Sequence, residues 1–192
     1  MPIPESKEKY TYADYLTWPE GERWEIIDGV PYIQAAPSTV HQEILMEIAR
    51  QIANHLKDKS CKVYPAPFCV RLTKGDEISD EGIKKVVEPD ITIVCDKSKV
   101  DEKGCNGAPD VIIEIISLSS VKTDRILKFN MYEKVGVKEY WIVEPEVKIV
   151  SVFALQENGR YGRQEVYSEE DQISLNIIPD LTIDLKLVFT GI

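Results

Sequence analysis

The sequence predicts a fold of the α+β (mixed α/β) class, in which strands dominate and two substantial helices punctuate them. Three observations carry this prediction. At 100° per residue, Ile44, Leu45, Ile48, Ala49, Ile52 and Leu56 gather on one arc, as an amphipathic helix requires. The run Val111-Ile112-Ile113-Glu114-Ile115-Ile116 is apolar on both faces, as a covered central strand is. Asp28-Gly29 stands between two short apolar runs, a strong hairpin signal.

The elements follow in order. Thr11 can cap a short helix through Leu16, which Pro19 and Gly21 end. Strands over 24–27 and 30–34 flank the Asp28-Gly29 turn, and Ser38 opens the long helix to about Leu56. Short strands are expected over 62–64 and 68–72, then a charged, exposed loop over 73–85. Residues 86–95 and 110–117 give the strongest strand patterns, joined by a glycine-containing connection. A helix over 121–135 stops at Gly136, and 140–143 returns as a strand. A hairpin over Asn158-Gly159 and a final strand over 181–187 complete the chain.

The 192 residues suit one domain over 1–192, and 43% hydrophobic with 29% charged residues is globular composition. No apolar run approaches the ~18–20 residues that cross a bilayer, and no apolar signal segment follows the N-terminal charges, so a cytoplasmic protein without membrane contact is expected. The net charge of −10 argues against non-specific coating of nucleic acid, which is built from Lys and Arg. Local contact is still open, because Lys122, Arg125, Lys128, Lys134 and Lys138 form a small basic segment. Cys61, Cys69, Cys95 and Cys105 show no C-x-x-C pair or zinc-finger spacing, so free thiols are expected, with neither disulfide nor zinc.

Five polar residues stand out. Glu114 lies within the covered strand, where an isolated carboxylate costs several kcal/mol unless paired, protonated or metal-bound. A structural ion pair is the alternative. Asp90 lies in Val-Val-Glu-Pro-Asp-Ile-Thr-Ile-Val, and the 24-residue gap to Glu114 leaves room for two strands to pair and bring both carboxylates to one hard cation. Asp110 sits about 13 Å along the strand from Glu114, too far to share it. Lys128, with Asp124 four residues earlier, falls on the inward arc of its helix, although Ile126 and Phe129 fit that stripe poorly. A surface salt bridge is the alternative there. Glu25 is a third acidic candidate, or a solvated edge-strand residue. His41 sits on the apolar arc in the first turn of its helix, either as a core histidine or pointing into a site. G-x-S-x-G, G-x-x-x-x-G-K-[ST] and G-x-G-x-x-G are absent, and Ser117, Ser119 and Ser120 suit a strand end and a helix cap.

With these residues assembled, the sequence resembles the Uma-type family of restriction endonucleases, a branch of the PD-(D/E)XK nuclease superfamily. The matching stretches are RWEIIDG at 23–29, APSTVHQEIL at 36–45, VEPDITIV at 87–94, IIEIISLSSVKTDRILKFNMYEKVGVKEYWIVEP at 112–145 and IIPDLTIDL at 177–185. The resemblance implies a restriction-endonuclease-like core, a mixed β-sheet flanked by helices with additional hairpins. It further implies that Asp90 and Glu114 hold Mg²⁺ or Mn²⁺, and that Glu25 and His41 line the same cleft. The superfamily lysine two residues after the glutamate is Ile116 here, and Lys128 is the substitute that the family suggests.

The expected function is therefore a Mg²⁺- or Mn²⁺-dependent endonuclease hydrolysing phosphodiester bonds in DNA. Asp90, Glu114 and Lys128 form its core, with Glu25 and His41 beside them. The alternative is a non-catalytic module that binds nucleic acid or protein and retains the nuclease fold. A third reading is an enzyme for a small phosphorylated substrate. A homodimer would suit symmetric cutting of two strands.

Overall fold

A computed structural model describes residues 8–19, 21–73, 79–117 and 120–192. The chain opens with α1 (Tyr12–Tyr15), where the Thr11 backbone N–H donates to the Asp14 carboxylate at 2.9 Å. β1 (Trp24–Ile27) and β2 (Val30–Ile33) form the expected hairpin. Its turn residues Asp28 and Gly29 lie at φ 50° and 81°, the left-handed geometry that a two-residue hairpin loop demands. The Ser38 hydroxyl accepts the His41 N–H at 3.2 Å and caps α2 (Thr39–His55).

Seven strands follow: β3 (Lys62–Pro65), β4 (Val70–Arg71), β5 (Val86–Val87), β6 (Ile91–Val94), β7 (Val100–Asp101), β8 (Gly104–Asn106) and β9 (Val111–Ile115). A π-helical turn, Thr123–Lys128, runs into α3 (Phe129–Val135), which Gly136 ends at φ 92°. β10 (Glu139–Glu144), β11 (Ile149–Ala154) and β12 (Glu165–Ser168) continue the chain. β13 (Gln172–Leu175), β14 (Ile178–Asp184) and α4 (Leu185–Val188) complete it. The fold is mixed α+β, as the sequence predicts.

The central sheet has the order β12-β11-β10-β9-β6-β3. It is mixed, because β9 and β10 are parallel while β6 and β9 are antiparallel. The π turn and α3 form the crossover that parallel neighbours require. A second sheet, β2-β1-β5-β4-β8-β7, carries the N-terminal hairpin at one edge. One face of the central sheet packs Ile91, Ile93, Val111, Ile113 and Trp141 against the α2 arc and the β13–β14 hairpin. The other packs Ile112, Tyr140 and Ile142 against Met131 and Tyr132 of α3 and Val70 and Val87 of the second sheet. Each fully buried Ile or Leu contributes about 1.5–3 kcal/mol, so tertiary packing holds α2 in place more than helix propensity does.

Several sequence expectations change. Residues 86–95 are not one strand: β5 belongs to the second sheet and β6 to the central one, with Glu88-Pro89-Asp90 crossing between them. Pro89 has no N–H to give a ladder, so the strand breaks there. The final strand ends at Asp184, whose carboxylate caps α4 through the Lys186 N–H at 3.0 Å. Within the expected loop over 73–85, residues 74–78 lie outside the described residues. Ile83 is buried against Tyr10, Tyr12 and Ile26 rather than exposed.

The expectation of four free thiols also falls, because Cys61 and Cys95 form a disulfide. They lie 34 residues apart, and the antiparallel register that pairs Lys62 with Val94 sets them opposite each other. No local spacing could show this, and it runs against reducing-compartment usage. Cys69 and Cys105 are free.

Candidate active site

The β6–β9 register pairs Ile91 with Ile113, so one further step places Asp90 opposite Glu114. The Ile115 N–H donates to Asp90 Oδ2 at 2.7 Å, fixing the carboxylate to the neighbouring strand. His41, in the first turn of α2, brings Nε2 to 3.0 Å from the same oxygen. Both side chains stay slightly open, at 16% for His41 and 14% for Asp90. His41 Nδ1 is sealed from solvent and has no partner among the described residues.

Glu114 is reached from the other side by the crossover. Lys128 Nζ lies 2.9 Å from Glu114 Oε1, 2.8 Å from Glu25 Oε1 and 3.5 Å from Asp124 Oδ1. The Tyr132 hydroxyl donates to Glu114 Oε1 at 2.8 Å. Exposure is 0% for Glu25, 4% for Glu114 and Asp124, and 3% for Lys128, so this is a buried network and not a surface bridge. Glu25 is far from the solvated edge position considered for it: β1 lies between β2 and β5. The Glu88 N–H donates to Glu25 Oε1 at 3.0 Å and Gln34 Nε2 donates to its Oε2 at 2.5 Å.

The segment leading into α3 is wound as a π turn. Its i→i+5 hydrogen bonding widens the turn, and the Phe129 N–H reaches back to the Asp124 carbonyl. Asp124, Lys128 and Tyr132, spaced four apart, share the buried side while Ile126 turns out to solvent. The Tyr140 hydroxyl donates to the same Asp124 carbonyl at 3.1 Å and braces the turn. The sequence pattern points to Asp124 and Lys128 but does not single out Tyr132. Its phenol four residues beyond Lys128 was the available signal.

Electrostatics follow from three carboxylates around one ammonium. Burial pushes the Glu25 and Glu114 carboxyls above the ordinary carboxylate range, against the pull of Lys128. Burial also opposes the Lys128 charge, but Glu114, Glu25 and Asp124 outweigh it and hold the ammonium well above its usual range. The cluster carries an excess of acid, so added positive charge is favourable there.

The donor set fits a hard divalent cation. Asp90 Oδ2 and Glu114 Oε1 are each occupied by two protein donors, while Oδ1 and Oε2 accept no hydrogen bond from the described residues. Among the described residues no three His, Cys, Asp or Glu side chains form a metal cage. Mg²⁺ needs no such cage, since it keeps several waters and binds through one or two carboxylates.

Other candidates are structural. Asp110 accepts the Cys95 N–H and Lys138 Nζ, each at 2.7 Å. Arg125 pairs with Glu144. Much of the basic segment is thus engaged within the fold. Among the described residues no helix is long and apolar enough to cross a membrane.

The comparisons with known proteins agree with this architecture. A crystal structure of a putative nuclease belonging to DUF820 from Anabaena variabilis superposes with a TM-score of 0.72 at 22% identity, covering 94% of this chain and 97% of that one. At that identity the likeness shows a shared fold. An uncharacterized protein of Synechocystis sp. is 21% identical over 187 residues, 96% of this chain and 93% of the relative. The Uma2 family, described as "Putative restriction endonuclease", matches residues 12–186. That span contains Glu25, His41, Asp90, Glu114 and Lys128, and it shows that this chain belongs to the Uma2 family.

Proposed function

We propose that this chain is a Mg²⁺- or Mn²⁺-dependent endonuclease that hydrolyses phosphodiester bonds in DNA. One observation carries the reading: Asp90 and Glu114 stand opposite each other, each with one oxygen anchored and one free, beside a buried lysine.

Asp90 and Glu114 would hold the cation. A bound divalent ion lowers the pKa of a coordinated water and stabilises charge developing on the phosphate. The rest is the work of the chain's own groups. The Ile115 N–H and His41 hold Asp90 Oδ2, and Oδ1 accepts no hydrogen bond from the described residues. Lys128 brings positive charge beside Glu114, where it orients the attacking water or offsets charge on the scissile phosphate. Glu25 secures the lysine from the opposite side. Burial strengthens each of these interactions.

The test is incubation of purified protein with plasmid and single-stranded DNA in Mn²⁺, with Glu114→Ala and Lys128→Ala alongside. Cleavage lost in both variants supports the reading. Cleavage that survives Glu114→Ala overturns it. The engagement of Arg125 and Lys138 by Glu144 and Asp110 favours a second reading, a non-catalytic binding module. Cation binding through Asp90 and Glu114 without turnover on any nucleic acid would decide for that module.

A further inference from the structure

We propose that Tyr132 is a positioning residue that sets the rotation of the Glu114 carboxylate toward the cation. The inference rests on the metal-dependent reading of this site. Glu114 is a lone acid on an apolar strand, and its carboxyl can turn about its last bond, tilting the plane in which its free oxygen lies. Two donors remove that freedom, because Lys128 Nζ at 2.9 Å and the Tyr132 hydroxyl at 2.8 Å converge on Oε1. Oε2 then accepts no hydrogen bond from the described residues.

Lys128 alone would fix the rotation poorly. Its ammonium has three donors and lies within reach of Glu25 and Asp124 as well, so it can follow the carboxylate if that group turns. The phenol cannot follow. Its ring is fully buried and packs edge-on against Tyr140 with centroids 5.0 Å apart. Four residues beyond Lys128 in α3, it lies on the same helix face as Asp124 and Lys128. A rigid donor on one oxygen is what keeps the other available, as outer donors do for the carboxylate ligands of metal sites.

The experiment is calorimetric titration of Mn²⁺ into wild type, Tyr132→Phe, Glu114→Ala and Tyr161→Phe. Phenylalanine keeps the Tyr132 ring and removes only the hydroxyl. Tyr161 is a matched control: its buried hydroxyl donates to the Val137 carbonyl at 3.1 Å, within the same aromatic cluster. The expected result is Mn²⁺ affinity about tenfold weaker in Tyr132→Phe, unchanged in Tyr161→Phe and lost in Glu114→Ala. Full affinity in Tyr132→Phe beside loss in Glu114→Ala overturns the role of Tyr132 and leaves the metal reading intact. Equal weakening in Tyr132→Phe and Tyr161→Phe overturns it too, because a general softening of the cluster then accounts for both. Wild type without Mn²⁺ affinity overturns this inference together with the metal reading.

Discussion

Glu114 and Glu139 lie on neighbouring parallel strands, β9 and β10, and both are withdrawn from water. Burial pushes both carboxyls above their ordinary range. Their surroundings differ in kind. Glu139 faces the α2 side of the sheet, where Trp141 Nε1 donates to Oε1 at 2.6 Å and the Asn176 N–H to Oε2 at 2.8 Å. Neutral donors fill both oxygens, and the carboxylate ties the β13–β14 turn to the central sheet. Glu114 faces the π turn, with a charged partner, a phenol and one oxygen that protein donors leave free. A buried carboxylate is therefore not in itself a sign of chemistry. The sign is a buried carboxylate whose hydrogen-bonding capacity the fold does not complete.

This contrast can be broken most forcefully at Lys128. Lys128→Met leaves Glu25, Glu114 and Asp124 buried without their cation, and a loss of about 3–5 kcal/mol in urea unfolding is expected. A loss below about 1 kcal/mol would mean that the network is open to water. Glu114→Gln keeps the shape and removes the charge. Mn²⁺-dependent DNA cleavage should fall at least about 100-fold, an effect near 2.7 kcal/mol on the barrier, in a plasmid-nicking assay.

Glu139→Ala tests the other side. It strands the Trp141 and Asn176 donors, so stability should drop by about 1–3 kcal/mol while Mn²⁺ affinity stays unchanged in calorimetry. A change in affinity would dissolve the distinction between the two glutamates.

The smallest effect is a pH slope. The folded Glu139 carboxyl is raised above its ordinary 4.5, so the native state holds its proton longer than the unfolded chain does. Its contribution is complete below pH 4.5 and is lost as pH rises through the folded value. Glu139→Gln should remove a slope of at most about 1.4 kcal/mol per pH unit from stability measured above 4.5. An unchanged slope would assign it to other groups.

Much of this was legible in the sequence because it is local. The Asp28-Gly29 turn, the Ser38 cap and the α2 arc each follow from residues within one or two turns of chain. The oddity of Glu114 was legible for the same reason, since an acid amid five apolar neighbours needs explanation wherever it folds. Ile126, which fits the apolar stripe poorly, is an apolar side chain left half-exposed on the outer face of its turn. The strand over 86–95 was misjudged because its pattern is continuous while its two halves serve different sheets.

The fold class, the principal elements and the identity of the five polar candidates are legible in the chain alone, because periodicity and turn chemistry act over a few residues. Tertiary structure alone decided what those candidates touch. The Asp90–Glu114 pairing, the Cys61–Cys95 bond and the meeting of Glu25 with Lys128 join residues 24, 34 and 103 positions apart. Such contacts depend on strand register and on the π turn, which fix distances that no local pattern encodes.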